Sequence, residues 1–205
     1  MFHVKHPLAP EEVQAHFALP PATLDRLAAY VDVLAKWQPR INLVGPDTMG
    51  DVWRRHIADS AQLYPLIPQG TRRLVDLGSG AGFPGLVLAI LGVPDVHLVE
   101  SDQRKGAFLL EAARVTDTKI SWHGARAESL PPLEADVVSA RALAPLSKLL
   151  PLARRHLKKG GLCLFPKGKN AEDELTEALK ESTIAVERTV SITDPQATIF
   201  RIREV

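Results

Sequence analysis

The sequence predicts a doubly wound α/β sheet, mostly parallel, with an antiparallel hairpin at its C-terminal edge and a helical extension in front. Three observations predict it. Apolar residues recur at helical spacing through residues 8–67. After Gly70, short β-branched runs alternate with helical segments, as in parallel strands joined by crossovers. The last two strand-like runs have no helix between them, so they pair as a hairpin.

The elements follow in order. Leu24, Leu27, Ala28, Val31 and Leu34 mark one buried helical face. Pro20-Pro21 suit its start, and Pro39 ends it. A second helical pattern starts at Asp47, a good N-cap, and runs through Trp53, His56, Ser60 and Tyr64 until Pro65 and Pro68 stop it. Five strands are then predicted at Arg73–Leu77, Val96–Glu100, Lys119–His123, Asp136–Ser139 and Leu162–Pro166. The helices between them are Gly85–Leu91, Arg104–Arg114 and Leu146–Leu157, the last capped by Gly160-Gly161. Thr183–Ser191 and Thr198–Glu204 complete a seven-stranded sheet, turning through Thr193-Asp194-Pro195-Gln196. Two units result: a helical extension over residues 1–69 and a ligand-binding α/β domain over residues 70–205.

Composition limits the function. The chain has 205 residues, too few for two full domains. Apolar residues make up 45% of it, enough for a proper core. A formal charge of +1 excludes an overall basic domain but leaves room for a basic face. The lone Cys163 reads as a buried strand residue and fits a reducing cytoplasm. The N-terminus lacks the apolar core of a signal peptide, and Leu86–Leu91 is too short to span a bilayer. A soluble, cytoplasmic protein is expected, without membrane contact. The histidines form no ligand cluster, so no metal is expected; His3 and His6 fall near a frayed terminus.

Gly78, Gly80, Gly82 and Gly85 crowd together directly after the first strand. In a doubly wound sheet, ligands bind at the carboxyl ends of the strands. Glycine there permits a tight turn and close backbone approach. A helix starting near Gly85 is expected to aim its amides at the ligand. The plain alternative is a turn that serves only strand-helix packing. Glu100, at the end of the second strand, is placed to accept both hydroxyl protons of a ribose, so the ligand is a nucleoside derivative.

Gly80 to Gly85 also satisfies the dinucleotide pattern, which leaves NAD open. Three features favour S-adenosylmethionine. Asp76 would attract a cationic methionyl group, directly or through water, and repel a pyrophosphate. Ala127-Glu128, after the third strand, are placed to read an adenine edge. The terminal hairpin suits a class I, Rossmann-like methyltransferase sheet better than a dehydrogenase sheet. An NAD-dependent oxidoreductase and a non-catalytic RNA-binding module remain the rivals.

Asp76-Leu77-Gly78-Ser79-Gly80-Ala81-Gly82-Phe83-Pro84-Gly85 resembles the cofactor motif of the ribosomal RNA small subunit methyltransferase G family, also called glucose-inhibited division protein B. The resemblance covers nearly the whole chain. It includes Phe2-His3-Val4-Lys5-His6, Ile41-Asn42-Leu43 and Arg55-His56-Ile57-Ala58-Asp59-Ser60. It continues through Val99-Glu100-Ser101, Arg126-Ala127-Glu128, Ala140-Arg141-Ala142 and Pro166-Lys167-Gly168. It implies S-adenosylmethionine-dependent methylation of N7 of one guanosine in bacterial 16S rRNA. The expected partner is 16S rRNA in the small ribosomal subunit or its precursor, and a monomer is expected. The resemblance also implies cofactor contacts at Gly78, Phe83, Ala127, Glu128 and Arg141, beside Gly80 and Glu100.

No catalytic base is expected, because guanine N7 attacks with a lone pair and carries no proton. Arg141 is placed to bind a cofactor carboxylate, a guanine edge or an RNA phosphate, or else to pair with Asp136 or Glu128. Lys167 is read as a phosphate contact or a solvated loop lysine. Phe83 is read as packing on the cofactor or in the core. Asn42, Arg55 and His56 are read as one wall of the RNA site; for His56 the rival is a satisfied, half-buried histidine, and for Arg55 an ion pair with Asp59. The acidic run Glu172-Asp173-Glu174 with Glu177 reads as a solvated helix face.

Overall fold

The computed structural model describes residues 6–181 and 183–204; His3 and the segment Phe2 to Lys5 of the resemblance lie outside the described residues. Seven strands form one sheet in the order β3-β2-β1-β4-β5-β7-β6. They are β1 (Arg73–Leu77), β2 (Asp95–Val99), β3 (Ser121–His123), β4 (Ala135–Ser139), β5 (Leu157–Lys167), β6 (Ile184–Val190) and β7 (Thr198–Glu204). β1 to β5 run parallel, while β7 pairs antiparallel with both β5 and β6. The strand order reverses between β1 and β4, so a crevice opens at their carboxyl ends.

Helices cover both faces. On one lie α1 (Pro10–Phe17), α2 (Pro21–Trp37), α3 (Asp59–Ala61), α4 (Gly85–Ile90) and α5 (Gln103–Val115). On the other lie α6 (Leu146–His156) and α7 (Ala171–Leu179). Strand side chains alternate between the two: Leu74, Leu98 and Leu164 face the first, and Val75, Val99 and Phe165 the second. The extension has no separate core. Leu27, Tyr30 and Leu34 of α2 bury with Leu86 of α4 and Phe108 of α5 in one cluster. Burial is what makes α2 a stable helix, since its ends carry no side-chain caps.

Two local predictions need correction. The stretch from Asp47 is not one helix capped by Asp47. It is a 3₁₀ turn over Pro46–Asp51 with Gly45 at its N-cap, a π-helix over Trp53–Ala58, and the short α3. Gly160 and Gly161 do not cap a helix. α6 ends at His156, and β5 begins at Leu157 and runs through both glycines. Apolar periodicity continues across that junction, so it cannot mark where helix gives way to strand.

Candidate active site at the strand ends

The glycine segment divides into two parts. Gly82 and Gly85 serve packing. A Cβ on Gly82 would lie 2.9 Å from Leu86 Cβ, and one on Gly85 2.5 Å from Leu98 Cδ2. Gly78, Gly80 and also Gly82 serve the turn, with φ of +65°, +55° and +92°, a region L-residues avoid. A Cβ on Gly80 would meet only the Gly78 carbonyl oxygen, at 3.8 Å, so the backbone there stays approachable. One on Gly78 would strike Leu143.

Glu100 follows β2 and holds the turn. One carboxylate oxygen accepts from the Gly80 N–H at 2.9 Å, the other from the Asp102 N–H at 2.8 Å. Asp76 lies beneath, fully buried. Its carboxylate accepts from the Ser139 hydroxyl at 2.7 Å and the Gly85 N–H at 3.3 Å. Burial raises its pKa to about 6 despite those bonds. Asp76 therefore braces the turn from below, with its carboxylate buried and hydrogen-bonded inside the fold rather than open at the strand end. The Gly85 amide is likewise taken, so α4 does not aim it outward.

The helical extension grips the same turn. The Tyr30 hydroxyl donates to the Ala81 carbonyl, and its ring packs on Phe83 with centroids 5.3 Å apart. The His56 ring also stacks on Phe83, with centroids 4.8 Å apart. Phe83 is thus a core residue, 3% exposed, rather than an open platform.

Beside Phe83 opens a cleft of about 730 Å³, lined by Arg55, His56, Asp59, Arg141 to Pro145, Lys167 and Glu174. Arg141 crosses it. Its guanidinium lies 5.1 Å from the Phe83 ring centre, 3.2 Å from Asp59 Oδ2, 3.1 Å from the Arg55 carbonyl and 2.9 Å from His56 Nδ1. The π-helix makes this possible. Its wide turn bonds the Asp59 N–H to the Arg54 carbonyl, five residues back, and presents three acceptors to one guanidinium. Because Arg141 donates to His56 Nδ1, the proton sits on Nε2 and goes to Thr48 Oγ1 at 2.8 Å. Burial, with Arg141 nearby, lowers the His56 pKa to about 3, so the ring is neutral. Lys167 ends β5, with its Nζ 2.9 Å from Glu174 and 2.7 Å from the Ala144 carbonyl.

Comparison decides the family. The model of the rRNA small subunit methyltransferase G family matches residues 23–200. A methyltransferase of that name from Paramagnetospirillum magneticum is 59% identical over 198 residues, covering 97% of each chain. The chain belongs to the rRNA small subunit methyltransferase G family. A second relative of that name, from Rhodospirillum centenum, is 61% identical over 95% of this chain and 90% of its own. Solved structures share the fold. A ribosomal protein L11 methylase from Lactobacillus delbrueckii subsp. bulgaricus matches at TM-score 0.61 and 17% identity, over 71% of this chain and 76% of its own. An S-adenosylmethionine-dependent O-methyltransferase from Thermotoga maritima matches at 0.58 and 15% identity, over 86% and 71%.

On this small subunit methyltransferase G frame, the residues singled out in sequence fall into two groups. Gly78, Gly80, Glu100, Ala127 and Glu128 lie along the carboxyl ends of β1 to β3. Arg55, His56, Arg141 and Lys167 line the cleft, and Leu143 stands between the groups against Gly78. Asn42 is exposed next to Leu43, which lines the cleft. Three readings change. His56 is 7% exposed with both nitrogens engaged, so it is a strut and not an RNA-facing side chain. Arg141 pairs with Asp59, not with Asp136 or Glu128. Lys167 is a buried strand-end residue and not a loop lysine. In the acidic run, Glu172 and Asp173 are exposed, whereas Glu174 turns inward to Lys167. Sequence reasoning missed Tyr30, Asp59 and Ser139 as supports of the site. Tyr30 had one legible signal, a hydroxyl on an otherwise apolar helix face.

Proposed function

We propose that this chain transfers a methyl group from S-adenosylmethionine to N7 of one guanosine in 16S rRNA, as a cytoplasmic monomer acting on the small ribosomal subunit or its precursor. Membership of the methyltransferase G family supports the reaction class. The observation that carries the reading is the Glu100 carboxylate at the end of β2, bonded to the amide of the open Gly80 turn, which Leu143 at Gly78 links to a cleft with cations.

The residues fit the cofactor. Gly80 leaves backbone free for close approach, Gly78 gives the turn its positive φ beneath Leu143, and Glu100 keeps lone pairs for ribose hydroxyls beyond its two amide bonds. The Ala127-Glu128 turn would hold the adenine, and Arg141 the methionyl carboxylate. Phe83 would contribute through its backbone, since its ring is buried. When bound, S-adenosylmethionine supplies a methyl group on a positively charged sulfur.

The chain's own part is alignment and charge balance. Guanine N7 brings an in-plane lone pair, so no side chain needs to remove a proton. The methylated base is cationic, so free cations at the reacting edge would oppose its formation. Asp59 and Glu174 neutralise Arg141 and Lys167 in the cleft, and His56 is held uncharged. Arg55, exposed at the rim, and Asn42 would take RNA phosphate and sugar contacts. In binding RNA, Lys167 would share its charge between a phosphate and the Glu174 carboxylate.

Methyl transfer to small subunits from a strain lacking the enzyme tests the reading, followed by mapping of the modified base. Thermal shift with S-adenosylmethionine, S-adenosylhomocysteine and NAD tests the cofactor. A ligand at a hundredfold excess over Kd stabilises the native state by about 2.7 kcal/mol. Stabilisation by NAD alone, or methylation of another atom, would reject the proposal.

A further inference from the structure

α6 ends on two residues that reach back to a distant turn. His156 is fully buried, and its Nε2 lies 3.0 Å from the Ala127 carbonyl oxygen. A carbonyl only accepts, so Nε2 carries the proton and Nδ1 is bare. Nδ1 is buried without a hydrogen-bond partner among the described residues. An orphan polar atom in the core is costly, and a leucine would fill the space without it. The ring is therefore present for its N–H. Arg155, the residue before, donates through Nε and Nη2 to the Leu130 carbonyl at 3.1 and 2.9 Å. The last turn of α6 thus clamps both ends of the Ala127–Ser129 turn. That turn follows β3, an edge strand of only three residues, which restrains it little.

The peptide group is planar, so anchoring the Ala127 carbonyl also aims the Glu128 N–H the opposite way, away from the core. Adenine presents ring nitrogens that accept and an amino group that donates. An N–H at Glu128 with a carboxylate beside it matches that pattern. We infer that His156 is a positioning residue for cofactor recognition, holding the Ala127–Ser129 turn in the orientation that reads adenine. The inference rests on the proposed adenine site at that turn.

Inosine reverses the pattern, with a ring N–H and a carbonyl in place of the ring acceptor and amino group. Calorimetry with S-adenosylhomocysteine and S-inosylhomocysteine therefore reads the turn directly. Wild type is expected to prefer the adenosyl ligand. His156→Leu should lose about tenfold in adenosyl affinity, the worth of one hydrogen bond, and most of the preference. His156→Gln, whose amide can reach the same carbonyl, should retain both, and RNA affinity should not change in either. Arg155 is exposed, so Arg155→Ala leaves the core intact and should give a smaller loss in the same direction even if His156→Leu fails to fold. Equal losses in Leu and Gln variants, or unchanged preference in His156→Leu or Arg155→Ala, would overturn the inference. A wild type that binds both ligands equally would instead reject adenine reading at this turn, and the inference with it.

Discussion

Removing one hydroxyl from the helical extension should weaken the glycine turn. Tyr30→Phe is the perturbation. Tyr30 is fully buried, and the Ala81 carbonyl it bonds is in a residue only 4% exposed. Burial pushes the phenol pKa well above its ordinary value, so the hydroxyl keeps the proton it donates. Phenylalanine retains the ring contacts to Phe83 and Phe108, so the loss is confined to the hydrogen bond. A buried carbonyl left unpaired costs about 1–3 kcal/mol. For a chain of this length each kcal/mol shifts Tm by about 2–4 °C, so the expected drop is roughly 2–12 °C. The turn also loses a restraint on the segment between Gly80 and Gly82. Cofactor affinity should fall by about threefold to tenfold, because binding must then order the segment. Differential scanning calorimetry and titration calorimetry read both. Tyr64→Phe is the control: the same atom is removed from a residue 43% exposed, and the change should stay within about 0.5 kcal/mol. If Tyr30→Phe behaves like Tyr64→Phe in both measurements, the extension does not brace the glycine turn.

Three further outcomes are expected. Glu100→Ala should weaken S-adenosylmethionine binding by about 1.5–3 kcal/mol, and should also lower Tm, since Gly80 and Asp102 lose their acceptor; unchanged affinity by calorimetry would remove Glu100 from the site. Arg55→Ala should lower RNA affinity and reduce the salt slope by about one unit with cofactor affinity intact, and parallel lines of equal intercept would show that Arg55 touches no phosphate. Acid should destabilise the fold: His56 titrates at 6.5 when unfolded and about 3 when folded, so its contribution is complete above 6.5 and is lost as pH falls from there toward 3. Burial lowers His123 and His156 in the same sense, whereas Asp76, raised from 3.8 to about 6, opposes them by favouring the fold as pH falls through that window. Urea midpoints that rise on acidification from about pH 7 to 5 would mean that Asp76 outweighs the histidines.

The Asp59 carboxylate explains why the extension and the sheet act together. One oxygen pairs with Arg141 from the β4–α6 loop; the other accepts from Thr193, in the β6–β7 hairpin loop, at 2.8 Å and from Gln62 at 3.0 Å. Gln62 in turn bonds the Ser191 hydroxyl at 3.1 Å. Asp59 therefore fastens together three segments that surround the cleft. Arg55, its i+4 neighbour, is left exposed and available to RNA.

The sequence by itself determined the sheet, its parallel sense, its terminal hairpin and the place of the glycine turn. Each rests on a local pattern: β-branched runs, helical periodicity, glycines directly after a strand. β1 was legible to the residue because Arg73–Leu77 is buried inside a sheet and bounded by sharp turns. The placement of Glu100 near Gly80 was legible too, since parallel β1 and β2 end side by side. Tertiary structure alone decided what each charged or aromatic side chain does. Asp76 reads in sequence as a ligand carboxylate and proves to be a buried brace, because Ser139 of the neighbouring strand supplies a hydroxyl 63 residues away. Arg141 finds Asp59 and His56 at separations of 82 and 85 residues, where no spacing rule operates. The π-turn that collects them is a departure from regular helix, and composition carries no mark of it. Periodicity reports which face of an element is buried; it does not report what lies opposite, and polar partners are chosen there.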